Sequence, residues 1–139
     1  MDTMSSAQRS ATMRSIKGKN TKPEMIVRRL LHASGYRYRV HCREIPGTPD
    51  IAFTKRRKVI FIHGCFWHRH AGCARASTPK TNASFWENKF LKNIERDKRV
   101  QNELKHGGWS FLIIWECEIR NLNCLKKKLQ SFLGQPKAN

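Results

Sequence analysis

Acidic side chains are scarce in this chain: 10 Asp and Glu stand against 28 Lys and Arg, a formal charge of +18 over 139 residues. Such an imbalance works against a compact state by self-repulsion, so a polyanionic partner is its natural explanation. Long apolar runs are missing too. None approaches the roughly 20 residues that cross a bilayer, and the N-terminus MDTMSSAQRS holds no hydrophobic signal segment. Nucleic acid is therefore favoured over membrane, and a cytoplasmic location is expected. No repeat, low-complexity block or long linker divides the chain, which reads as one domain over 1–139. Cysteine is present in an odd number (Cys42, Cys65, Cys73, Cys117, Cys124) without a secretory signal. That argues against a disulfide framework and for metal ligation by a clustered subset in a reducing compartment.

The segment SSAQRSATMRSIKGKN reads as a short basic helix ending near Gly18, too poor in apolar residues to bury much. TKPEMIVRRLLHASG is a clearer helix. Thr21 suits its N-cap, Pro23 its first turn and Gly35 its stop, with Ile26, Val27, Leu30 and Leu31 as the buried stripe. YRYRV alternates like a strand. After the turn IPGTP, DIAFT and KVIFI form a β-hairpin around Lys55-Arg56-Arg57. ASFWENKFLKNIERDKRVQNELKHGG predicts a long helix, WSFLIIW a buried strand and LNCLKKKLQSFLG a closing helix. The order α-α-β-β-β-α-β-α asks for a mixed sheet with helices on its faces.

The stretch VIFIHGCFWHRHAGC runs from apolar residues into three His and two Cys around a Phe-Trp pair. Cys65, His70 and Cys73, joined by Cys117 at the end of the late strand, can make a four-ligand site. Thiolate and imidazole suit tetrahedral zinc, and a full protein ligand set is structural rather than catalytic. The alternative is a pair of buried thiols beside surface histidines. A base deaminase is set aside, since neither His-x-Glu nor Pro-Cys-x-x-Cys occurs. Of the three Asp, Asp2 sits in the terminal segment. Asp50 follows PGTP, where a carboxylate can hold Mg²⁺ or simply satisfy turn amides. His63 and His68 are candidate general bases or plain loop histidines. Trp86, Phe90, Asn93 and Asp97 share one helical ridge, on which Asp97 can orient a histidine or pair with Arg96, Lys98 or Arg99. Thr21-Lys-Pro-Glu24 has the capping-box pattern, and local sequence favours that role for Glu24 over a carboxylate near a metal.

The segments RSATMRSIKGKNTKPE, PGTPDIAF, VIFIHGCFWH, FWENKFLKNIERD and WSFLIIWEC together resemble the very short patch repair (Vsr) mismatch endonucleases. They run from Arg9 to Cys117 in that family's order, and HGCFWH followed by NIERD is highly specific. The strand after Asp50 lacks the Glu-x-Lys usual in restriction-like enzymes, a substitution that Vsr-like enzymes share. The resemblance implies an α/β, restriction-endonuclease-like mixed central sheet flanked by helices. It implies Mg²⁺-dependent nicking of double-stranded DNA 5′ to the mismatched T of a T·G pair arising from deaminated 5-methylcytosine. Asp50 and the backbone carbonyl of Ile62 are then the Mg²⁺ ligands. His68 is the general base supported by Asp97, His63 assists at the scissile phosphate, and Glu24 lies at the site's edge. Cys65, His70, Cys73 and Cys117 hold structural zinc, with His68 the alternative to His70 as third donor. Phe66, Trp67 and Trp86 correspond to aromatics that wedge into the base stack. DNA contacts fall to Asn93, Lys89 and Arg14, the last in an N-terminal arm over 1–18. A monomer in the bacterial cytoplasm, associated with the nucleoid, is expected, with mismatch-repair proteins as further partners. Two other classes stand against this. A non-catalytic zinc-containing nucleic-acid-binding module needs only the charge and the metal loop, and a homing-type endonuclease cuts both strands of a matched target.

Overall fold

A computed structural model describes residues 21–76 and 80–136, so the expected N-terminal arm, Arg14 included, lies outside the described residues. Helix α1 (Lys22–Ala33) starts as its sequence predicts, with Thr21 Oγ1 accepting the Glu24 N–H at 3.4 Å and Pro23 in the first turn. Val27 and Leu31 are buried, Leu30 packs against the core, and Ile26 is half-buried. Strand β1 is only Arg39–Val40, shorter than the alternation of YRYRV suggests. Its two tyrosines turn to the core instead. Tyr36 is buried and donates its hydroxyl to the Gly134 carbonyl, and Tyr38 donates to the Arg28 carbonyl at 3.1 Å. Both pack edge-on against Phe53.

Strands β2 (Ile51–Phe53) and β3 (Lys58–His63) form the expected antiparallel hairpin. Helix α2 (Ala83–His106) then carries the chain back to β4 (Ser110–Trp115), parallel to β3, and α3 (Leu122–Leu133) closes the fold. The sheet order is β1-β2-β3-β4. Because β4 is an edge strand, only Ile114 is fully buried in it, less than the apolar run WSFLIIW predicts. Side chains alternate across a strand. Ile51, Phe53, Ile60 and Ile114 therefore meet α1 and α3 through Val27, Leu31, Leu125, Leu129 and Leu133. Ala52, Val59 and Phe61 point the other way, to Leu104 and Val100 of α2. Three layers result. Among the described residues no helix is long and apolar enough to cross a membrane.

The basic turn between β2 and β3 ties down helix ends. Arg56 donates to the carbonyls of Leu133 (2.6 Å), Gln135 (2.7 Å) and Pro136 (2.8 Å), and Lys58 to that of Phe132. Arg57 donates to the Gly107 carbonyl past α2 and stacks on Trp109. Cations at helix C-termini satisfy orphan carbonyls and complement the helix dipole.

At the opposite end of the hairpin, Gly47 (φ +80°) and Thr48 (φ +45°) bend the chain sharply before Asp50. A Cβ on Gly47 would run into a Val100 methyl and crowd the Phe61 ring. Gly47→Ala should lower stability by about 1–3 kcal/mol, from positive φ and overpacking together. Urea unfolding checks this, and an unchanged midpoint would contradict the packing described here.

Candidate active site

Strand parity assembles this site. Asp50 directly precedes β2 and His63 ends β3, and their places in the alternation put both on the α2 side, at the hairpin end away from the turn. They line one cavity of about 230 Å³ with His68, Asn93, Arg96 and Asp97. Beyond the end of the ladder, the Ile62 N–H donates to Asp50 Oδ2 at 2.7 Å, and the His41 N–H to the Asp50 carbonyl at 3.3 Å. The N–H and C=O of a strand residue face the same side, so the Ile62 carbonyl shares the edge that meets Asp50.

Glu24 donates its backbone N–H to the Thr21 side chain. Its carboxylate is 2% exposed and turns toward Asp50, paired with Arg28 one helical turn on and 3.1 Å from His41 Nε2. Glu24, His41 and Asp50 bring one donor atom each within 4.8 Å of one another. Burial first, and then the neighbouring Glu24 carboxylate, push Asp50 up to about 7 against the pull of the Ile62 amide and Arg28. With a second carboxylate beside it, Asp50 can exchange its proton for a divalent cation, the hard-oxygen chemistry that suits Mg²⁺ or Ca²⁺.

The histidines separate cleanly. His68 Nδ1 lies 2.7 Å from Asp97 Oδ2, so Asp97 orients it as the ridge spacing suggests. His63 stacks on His68 with ring centroids 3.8 Å apart. Burial first, and then the neighbouring His68 imidazole, push His63 down to about 4 despite Asp97, which keeps His63 neutral near pH 7. His70 turns the other way and joins Cys65, Cys73 and Cys117, with all four donor atoms within 4.8 Å. Arg69, between the two histidines, has φ +54°, and that reversal sends these side chains to different sites. Burial and the adjoining Cys117 and Cys73 thiols push Cys65 up to about 12. Three sulfurs and an imidazole so close fit one tetrahedral cation, which would hold the thiols as thiolates.

The α2 ridge docks the same loop. Phe66 lies 5.5 Å from Trp86 and 5.1 Å from Phe90, Trp67 lies 5.6 Å from Trp86, and Asn93 Nδ2 donates to the Trp67 carbonyl at 2.9 Å. Phe66, Trp67 and Trp86 are half-buried against one another, whereas Phe90 is buried beneath them. Phe85 is 54% exposed beside Trp86, with the Lys89 ammonium 5.5 Å from its ring. Sequence reading passes over Arg28, His41, Arg69, Phe85, Trp115 and Glu116, whose Oε1 accepts the Cys65 N–H at 3.0 Å. Only Arg28 carries a local signal, its i,i+4 spacing from Glu24.

Comparison with known proteins gives consistent matches. A family model described as DNA mismatch endonuclease Vsr matches residues 1–75. The type II nicking enzyme V.XorIIP of Xanthomonas oryzae pv. oryzae is 43% identical over 132 residues, 95% of this chain and 96% of the relative. The type II nicking enzyme V.NmeAIP of Neisseria meningitidis serogroup A is 39% identical, over 98% of this chain and 96% of its own. DNA mismatch endonuclease Vsr of Escherichia coli K12 is 42% identical over 119 residues, 86% of this chain and 76% of that protein.

A raised carboxylate pKa means that folding favours the protonated form. Without added divalent cation, Asp50 therefore costs stability increasingly from about pH 4 to its folded value of about 7, and fully above that. Asp50→Asn should melt about 5 °C or more above the parent at pH 8, with the gap shrinking by more than half toward pH 5. Differential scanning fluorimetry across that range checks it. A pH-independent gap would remove Asp50 as its source.

Proposed function

The chain belongs to the Vsr family of DNA mismatch endonucleases, and from that premise we propose that it nicks one strand of duplex DNA 5′ to the mismatched T of a T·G pair. Such pairs arise from deaminated 5-methylcytosine, and the nick starts very short patch repair. The observation that carries this reading is the single cavity into which Asp50, His63, His68 and Asp97 converge. An antiparallel hairpin carrying the acid, followed by a parallel strand, is compatible with a restriction-endonuclease-like core over 1–139.

Asp50 and the Ile62 carbonyl would hold Mg²⁺, with Glu24 at the edge of the site; the chemistry such an ion would supply there is polarisation of a phosphate oxygen and a lower pKa for bound water. His68 takes the proton of the attacking water on Nε2, because Asp97 occupies Nδ1 and fixes the tautomer. His63, neutral and stacked on His68, donates toward the scissile phosphate. A T·G wobble is a weakened step, so unstacking costs less there, and Phe66, Trp67 and Trp86 insert beside it. Asn93 steadies Trp67 at the interface, while Lys89 and Arg14 of the arm meet phosphates. Cys65, His70, Cys73 and Cys117 would hold zinc, which would keep the loop rigid, since ordering a free loop on binding would consume much of the wedge's gain. One nick requires one active site, hence a monomer, which acts beside mismatch-repair proteins in the bacterial cytoplasm.

With Mg²⁺, purified protein should nick only the T strand of a T·G duplex, read on a denaturing gel against other mismatches. Equal cutting of matched duplex, or cutting of both strands, would sink the reading. Asp50→Ala should abolish nicking and keep DNA affinity within about threefold, because the cationic surface that supplies most non-specific affinity is untouched. Elemental analysis should find one zinc per chain. Cys117→Ser should destabilise by several kcal/mol, on the order of a lost structural ligand, while specific activity per folded molecule falls far less. Zinc-free folded protein would overturn the metal assignment.

A further inference from the structure

We propose that Trp115 is a positioning residue through which the Cys₃His metal site sets the ring geometry of the His63–His68 pair. The inference rests on the catalytic reading of those histidines. His63 is 7% exposed, and its Nδ1 is buried without a hydrogen-bond partner among the described residues. A ring with no hydrogen bond on that nitrogen is oriented there by packing. One contact is His68, stacked face to face. Another is Trp115, edge-on at 5.4 Å and 78°, and Phe61 lies at 6.0 Å behind.

Trp115 is fixed in turn. Its ring stacks on His70 with centroids 4.2 Å apart and planes 11° from parallel. His70 Nδ1 lies 3.5 Å from Cys117 Sγ, inside the four-donor cluster. The strand register makes this arrangement: in the parallel β3–β4 pair, His63 and Trp115 are direct partners. Trp115 is half-buried and belongs to neither apolar core cluster, so filling the core does not account for it. The contacts run without a gap from the metal ligand His70 through Trp115, His63 and His68 to Asp97. A shift in the clamped His70 ring moves the plane against which His63 rests. Small misplacements of a reacting group are costly to rate and leave binding largely intact.

The test uses full-length, metal-loaded protein. NMR of the His63 and His68 imidazoles is followed while the bound metal is exchanged for the larger Cd²⁺, and nicking of a T·G duplex is measured at saturation. Exchange should move the His63 ring signals in the parent and leave them still in Trp115→Leu, with one metal per chain in both. Trp115→Leu should lose about 10-fold or more in kcat with KM for the duplex within twofold, and Trp115→Phe should recover most of the loss. His70→Cys keeps four ligands but removes the stacked ring. It should show the same loss of kcat and of Cd²⁺ response, and it decides the matter if Trp115→Leu does not fold. A His63 signal indifferent to Cd²⁺ in the parent, or one that responds equally in Trp115→Leu or His70→Cys, overturns the proposal. Failure of the parent to nick T·G DNA would instead count against the function above, and the imidazole readout would still decide this one.

Discussion

Ten residues, Gly64 to Cys73, must hold three kinds of side chain in fixed relation although only Cys65 among them is buried. Too little of the segment is buried for the hydrophobic effect alone to order it. It is gripped from two sides instead. The α2 ridge takes Phe66, Trp67 and His68 through Trp86, Phe90, Asn93 and Asp97. The Cys₃His cluster takes Cys65, His70 and Cys73 from the opposite side and ties them to Cys117, just past β4. Between the two grips, the left-handed backbone of Arg69 allows residues two apart to serve different sites. Its guanidinium lies over the Phe90 ring at 4.0 Å, which recovers through packing part of what that backbone costs.

Much of this is legible in the sequence wherever a local period carries it. The α2 ridge follows from 3.6-residue spacing, and the order of elements follows from turn residues and apolar runs. The Cys/His spacing within one loop was enough to nominate the metal site. What could not be read depends on register or on distant chain. Whether Glu24 caps its own helix or faces Asp50 is settled by where α1 crosses the end of the sheet, and the capping pattern looks the same in both cases. His41 enters through a bend at φ +50° that no flanking residue announces. Trp115 meets His63 only because VIFIH and FLIIW pair without a slip, and a one-residue shift would turn it to the other face. The strand predicted over YRYRV shrinks because Tyr36 and Tyr38 gain more from Phe53 and backbone carbonyls than from a two-sided polar edge.

Electrostatics inside the site follow from burial more than from the chain's overall charge. Against a formal +18, Asp50 still shifts toward its neutral form, because the nearest groups are a second carboxylate and apolar strand residues, with Arg28 engaged chiefly by Glu24. His63 shifts toward neutral through burial first and the neighbouring His68 imidazole second, against the pull of Asp97. Near neutral pH His63 is thereby uncharged and Asp50 only part ionised, so an incoming cation can complete the ionisation of Asp50.

The cations of the β2–β3 turn have a different consequence. Arg56, Arg57 and Lys58 sit at the hairpin end opposite Asp50 and His63, and their donors are committed to carbonyls near the ends of α2 and α3. Fixed there, they still contribute to the long-range potential that draws in a polyanion. They are badly placed to clasp one that has docked over the cavity. These three charges thus bear on the encounter with a polyanion more than on its residence over the cavity.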